Sequence, residues 1–266
     1  VFTEWSQEWK AVAEEADFPL TLIGIEESAS DYEQLKAAIQ GTKGSGTEPV
    51  WLVMIGHGTF DRNLAKFNLR GKDVEAKELA EWLDDCQRPL VIVGGFSCSG
   101  AFLDPIQGAN RVVITATKSG AELNFARFGG FLAKSLVDMK ADLDHDDQVS
   151  LLEAFLLASS QVKSFYESDA RLLTEHALLE DNQDGKGISA EFFRGIRVVA
   201  TPKKAETPDG RLAHQYVVKS SPEAVQLSNA QFLERNRIEA EIDQLRSKKS
   251  ELAADDYYRQ LEPLLI

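Results

Sequence analysis

Two cysteines in 266 residues, Cys86 and Cys98, are too few to staple a fold, so a disulfide scaffold is excluded. Cys86 follows Asp84-Asp85 at the end of a helical pattern and reads as structural filler. Basic residues are also scarce. Lys and Arg number 29 against 43 Asp and Glu, giving a formal net charge of -14 and a pI of about 4.8. Binding to a phosphate backbone needs a basic patch and none is visible, so nucleic acid is not an expected partner. No apolar run approaches the ~18 residues of a membrane-spanning helix, and no internal repeat is evident. The chain opens on Val1 rather than Met, so an N-terminal piece is expected to precede it. A signal peptide or anchor in such a piece would make the protein exported or periplasmic. Oligomeric state is not readable from these features.

At 43% hydrophobic and 27% charged residues, the composition is that of an ordinary globular chain, long enough to bury a proper core. Helical spacing of Trp5, Trp9, Val12 and Ala16 predicts a helix over residues 3–16, with Thr3 as its cap. A short strand is expected over Leu20–Ile25 and a helix over Asp31–Ile39, capped by Ser30 or Asp31, before the loop Gly41–Gly46. Further helices are expected near Val74–Leu83 and Asn124–Leu136. The apolar runs Val50–Gly56, Leu90–Ser97 and Val112–Thr117 read as buried strands. Strands alternating with helices at this spacing indicate a mostly parallel α/β sheet flanked by helices.

The second half changes character. Leu151–Tyr166 and Ala170–Leu179 read as helices, and Val198–Ala200 and Tyr216–Val218 as short strands around the loop Thr201–Arg211. From Phe232 to Leu252 the chain is charged and helical, and is expected to lie on the domain as one helix or to form a helical hairpin closed by Tyr257, Tyr258, Leu261 and Leu264. The expected organisation is an α/β domain over residues 1–220, with an acidic insertion at about 141–192, and a C-terminal helical appendage over 221–266.

Two of the strands run directly into reactive residues. Val50–Gly56 leads to His57-Gly58, and Leu90–Ser97 leads to Cys98-Ser99-Gly100. Parallel strands end on one edge, where open α/β sheets place their sites. A His beside a thiol raises the attacking thiolate fraction and can protonate a leaving group. The Gly58 and Cys98 N–H groups are placed to stabilise an oxyanion. A rival reading uses Ser97, because Gly95-Phe96-Ser97-Cys98-Ser99 nearly matches a nucleophile elbow, with His176 and His214 downstream. The stretch from Gly100 to Pro105 is, however, a poor start for the helix such an elbow needs.

A strand ending in His-Gly, followed about forty residues later by a strand ending in small-Cys-small, resembles the caspase-like cysteine peptidases. Within them the chain is most similar to the legumain-type branch and its bacterial relatives. The segments Phe67–Asp73, Ala116–Gly120 and Asn124–Gly129 also look like those relatives. The resemblance covers roughly residues 50–200. It implies a caspase-like sheet, a cysteine-type endopeptidase with His57 as base and Cys98 as nucleophile, and an oxyanion hole of the Gly58 and Cys98 N–H groups. It also implies a peptide or protein substrate and a specificity pocket lined by Lys118, Ser119 and Glu122. One departure stands out. Legumain-type enzymes read Cys-Glu-Ser-Gly, whereas this chain reads Cys98-Ser99-Gly100, one residue shorter. The register of Cys98 is thereby left open, and a catalytically inactive binding or scaffold domain is the alternative.

Two acidic stretches match the EF-hand calcium loop, which takes oxygen ligands at positions 1, 3, 5, 7, 9 and 12. The first would use Asp142, Asp144, Asp146, Gln148, Ser150 and Glu153, with Asp147 where Gly is usual. The second would use Glu180, Asn182, Asp184 and Glu191, with Gly185 at the turn. Calcium, or magnesium, would be structural here, since thiolate chemistry does not need it and calcium is a poor partner for sulfur.

Overall fold

A computed structural model of the chain describes residues 1–25, 30–42, 44, 46–200, 208–249 and 251–266. These residues fall into two compact units, Val1–Pro222 and Glu223–Ile266.

The first unit begins with helices α1 (Phe2–Glu15) and α2 (Asp31–Gly41), followed by strand β1 (Val50–Gly56). A small antiparallel sheet comes next, of β2 (Gly58–Asp61), β3 (Leu64–Phe67) and β4 (Val74–Glu75). Helix α3 (Ala76–Leu83), strand β5 (Leu90–Phe96), the single turn α4 (Leu103–Ile106), strand β6 (Arg111–Thr115) and helix α5 (Phe128–Leu136) complete the αβ alternation. Then come β7 (Gln148–Ser150), α6 (Leu151–Ser168), β8 (Leu178–Glu180), β9 (Phe193–Arg194), β10 (Arg197–Val198), α7 (Arg211–Gln215) and β11 (Val217–Ser220). The second unit holds α8 (Asn229–Ser247) and α9 (Ala254–Leu265), which pack on each other.

The central sheet has the order β1-β5-β6-β8, with the first three strands parallel and β8 antiparallel. Its β5 strand is buried along its whole length because helices cover both faces. Successive side chains alternate between the faces. Val91 and Val93 join α1, α5 and α6 in one core, and Leu90, Ile92 and Phe96 join α2 and α3 in the other. The mixed α/β class with a parallel-rich sheet is as the sequence predicts. No helix among the described residues is long and apolar enough to cross a membrane.

Several local expectations are corrected. Leu20–Ile25 is not a strand, and Leu20, Leu22 and Ile25 are exposed. Thr3 does not cap α1, whose N-cap position is Val1, whereas Ser30 does cap α2 by accepting the Glu33 N–H. The helix expected over Ala170–Leu179 is absent. Residues 171–177 are irregular, and Leu178–Glu180 pairs with β6 instead. Helix α5 starts at Phe128 rather than Asn124, and Val74–Glu75 is a strand before α3. Residues 43, 45, 201–207 and 250 lie outside the described residues, so parts of the loops expected at Gly41–Gly46 and Thr201–Arg211 do too.

Candidate functional site

Strands β1 and β5 pair in register from Val50–Leu90 to Gly56–Phe96. His57 and Ser97 are therefore the next residues beyond the same edge of the sheet, with Cys98 one step further on. The imidazole is exposed and packs edge-on against Phe2, with ring centroids 5.1 Å apart, and against Phe125 at 5.9 Å. Cys98 has 0% exposure and sits in the core with Met54, Phe67, Phe96 and Phe102. Burial pushes its pKa up to about 11, because an apolar surround disfavours the thiolate. No hydrogen bond joins its Sγ to His57 among the described residues. The backbone at Cys98 is left-handed, with φ 59°, an unusual conformation for a residue with a Cβ. His57 thus stands exposed at the edge while the Cys98 thiol beside Gly58 is buried.

The two expected oxyanion donors are engaged elsewhere. The Gly58 N–H donates to Ser97 Oγ at 3.1 Å, and that hydroxyl donates back to the Gly58 carbonyl at 3.2 Å. The Cys98 N–H donates to the Glu122 carbonyl oxygen at 2.8 Å. Gly58 must be glycine here. A Cβ at that position would lie 2.4 Å from the Ser97 carbonyl oxygen and 2.6 Å from Cys98 Sγ. The Ser97 hydroxyl, the rival nucleophile, is nearly sealed and held by backbone. Its proposed partners bond elsewhere, His176 Nδ1 to Glu122 and His214 Nε2 to Asp144. The chain after Ser97 makes only a short 3-10 turn, Ser99–Ala101, and the single turn α4.

The segment expected to line a specificity pocket is tied to itself and to its neighbours. Ser99 Oγ accepts the Ala116 and Thr117 N–H groups at 3.0 and 3.2 Å, which seats the segment on the turn after β5. Glu122 is the hub. Its carboxylate accepts the Lys118 N–H at 3.0 Å and the His176 N–H at 3.2 Å, meets His176 Nδ1 at 2.5 Å, and pairs with Lys118 Nζ at 3.6 Å. Ser119 Oγ accepts the Ala121 N–H.

Sequence reasoning missed the neighbouring depression. It holds about 440 Å³ and is lined by Asn124, Phe125, Arg127, Tyr166, Arg171, Leu172 and Thr174. The Arg127 guanidinium lies over the Phe125 ring at 5.2 Å and the Phe165 ring at 4.6 Å. Beneath it, buried Glu175 accepts the Arg127 and Phe128 N–H groups and the Tyr166 hydroxyl, and burial raises its pKa. The signal was the Asn124-Phe125-Ala126-Arg127 run, but its partners arrive from residues 166–174, which periodicity assigned in part to a helix.

In the first acidic loop most oxygens already serve the fold. Asp142, Asp144 and Asp146 come close enough to share an ion. Asp142 accepts the Asp146 and Asp147 N–H groups, and Asp146 accepts that of Gln148. Glu153, expected as the bidentate ligand, is buried. It accepts the Leu143 N–H on one oxygen, and the Ser150 N–H and hydroxyl on the other, forming a capping box for α6. In the second loop Asn182 Oδ1 and Glu180 Oε1 both accept the Asp184 N–H, and Glu191 is exposed on a 3-10 turn.

No family model matches the chain, and no curated protein matches it. Among solved structures, the Drosophila initiator caspase Dronc matches with 14% identity and a TM-score of 0.46, covering 71% of this chain and 74% of that chain. A likeness at this level does not bear on activity or on a legumain-type assignment.

Proposed function

We propose that the unit Val1–Pro222 is a peptide-binding domain built on a cysteine-peptidase type of α/β frame and held catalytically silent. One observation carries the silence: the Cys98 N–H is bonded to the Glu122 carbonyl oxygen while its thiol has no exposure. A substrate carbonyl would need that same donor, and attack would need that same sulfur. Binding is supported by the edge itself. The rings of Phe2, His57 and Phe125 form a ridge that runs on into the depression between Arg127 and Arg171. In a chain of net charge -14, two arginines flanking an aromatic groove suit an extended peptide with an apolar side chain and a carboxylate. Fluorescence polarisation with a library of labelled peptides tests this. Peptides that pair an aromatic with an acidic residue should bind, and Arg127→Glu with Arg171→Glu should weaken them at least tenfold. Unchanged affinity in that double variant defeats the reading.

A second reading, a latent cysteine endopeptidase using a Cys98 thiolate and a His57 base, draws on a specific observation. The group covering the Cys98 N–H is the backbone carbonyl of Glu122, whose side chain ties the segment to His176 and Lys118. Glu122→Ala would release that segment. Latency then requires new peptide hydrolysis that is abolished by Cys98→Ala. Silence requires none.

A further inference from the structure

We infer that the second acidic loop, Glu180–Glu191, binds a calcium ion through Glu180, Asn182 and Asp184. Glu180 closes β8, paired with Val113 of β6, and has 0% exposure. Its Oε1 accepts the Asp184 N–H at 3.0 Å, but its Oε2 is buried with no hydrogen-bond partner. A carboxylate oxygen sealed from water and given no donor is costly unless a cation answers it. Asp184 Oδ2 is also buried without a hydrogen bond, and Lys186 Nζ lies 3.5 Å away. Asn182 shares the turn, where its Oδ1 accepts the Asp184 N–H at 2.8 Å.

The surroundings deepen the charge imbalance. Asp181 and Asp209 are part of the same cluster, with the Asp181 N–H donating to Asp209 Oδ1 at 2.9 Å. Asp181 caps α7 by accepting the Gly210 and Ala213 N–H groups, so its oxygens are engaged. The loop's base is closed by a two-way backbone bridge between Leu179 and Ile188, at 2.9 and 2.8 Å. Gly185 turns the chain with φ +68°, as position 6 of a calcium loop demands.

The donor set decides the ion. Only oxygens are offered, with neither imidazole nor thiol in the loop, which selects a hard cation. Calcium takes carboxylate, amide and carbonyl oxygens in a flexible shell, whereas magnesium demands near-ideal octahedral geometry and keeps its waters. The first loop differs in kind, because buried Glu153 has both oxygens hydrogen-bonded. Asp142, Asp144 and Asp146 in it still lie close enough to share an ion, so Asp146→Asn reads that loop separately.

The test uses the full chain stripped with EGTA and titrated with calcium chloride by calorimetry, with melting followed in parallel. One saturable site is expected in the wild type, with a rise in melting temperature on adding calcium. Glu180→Gln and Asp184→Asn should each weaken calcium at least tenfold, while Asp146→Asn in the first loop should leave affinity within twofold. Circular dichroism in EGTA confirms that each variant is folded, and either second-loop variant suffices if the other is not. No saturable binding by the wild type overturns the assignment. So does wild-type affinity in the folded second-loop variants, or loss of binding in Asp146→Asn with Glu180→Gln intact.

Discussion

Ser97 and Gly58 hold each other by both available bonds: the hydroxyl accepts from the Gly58 N–H at 3.1 Å and donates to its carbonyl at 3.2 Å. This clasp fastens the ends of β1 and β5 together and occupies the edge where a nucleophile would stand. Ser97→Ala strips two backbone groups of their partner. A loss of about 1–3 kcal/mol in urea unfolding is expected, with no gain of hydrolysis. A neutral substitution would mean that water replaces the hydroxyl and that the edge is wetter than described.

Gly58→Ala acts at the same place by a different route. The added methyl meets the Ser97 carbonyl oxygen, Cys98 Sγ and the Phe96 ring, all within 2.7 Å. Backbone has to shift, so a loss of about 1–3 kcal/mol or more is expected in the same assay. Stability equal to wild type would contradict the close packing of the β1 and β5 ends.

Thiol chemistry reads the state of Cys98. With a pKa of about 11, only about one thiol in a thousand is ionised at pH 8. Iodoacetamide at pH 8 should therefore label half-buried Cys86 first, with Cys98 reacting only when the chain is unfolded. His57→Ala should leave the Cys98 rate unchanged. Faster labelling of Cys98 that depends on His57 would restore the peptidase reading.

Asp209 sets a pH dependence. Burial, reinforced by the negative charges of Asp181, Glu180 and Asp184, raises its pKa from 3.8 to about 8. The unfolded chain releases this proton near pH 4 and the folded chain near pH 8. The stabilisation is full below about pH 4 and is lost as pH rises through 8. In EGTA the melting temperature should fall across that window, and Asp209→Asn should flatten the fall. An unchanged slope in the variant would assign the dependence to other groups.

The strands that build the site were legible because β1, β5 and β6 read as unbroken apolar runs, with β5 and β6 buried throughout and β1 half-buried. Ser150 and Glu153, read as ion ligands, form the capping box of α6 instead. What sequence could not reach was burial. His57 and Cys98 both follow strands that end on one edge of the sheet, but Cys98 is buried among Met54, Phe67, Phe96 and Phe102, and only tertiary packing decides that. The segment 170–179 was misread because Leu172, Leu173, Ala177 and Leu178 carry helical spacing. The β6 edge offered Leu178–Glu180 a partner strand, and Leu172 was left 86% exposed. The hairpin of β2 and β3 went unread because its Arg62-Asn63 turn relies on two non-glycine residues at positive φ.

Strand β8 runs against its neighbours and is only three residues long. It leaves the rim that bears His57 just after His176, which grips Glu122, and reaches Glu180 toward the opposite rim. One three-residue strand therefore joins the clamp on the covering segment to the acidic turn.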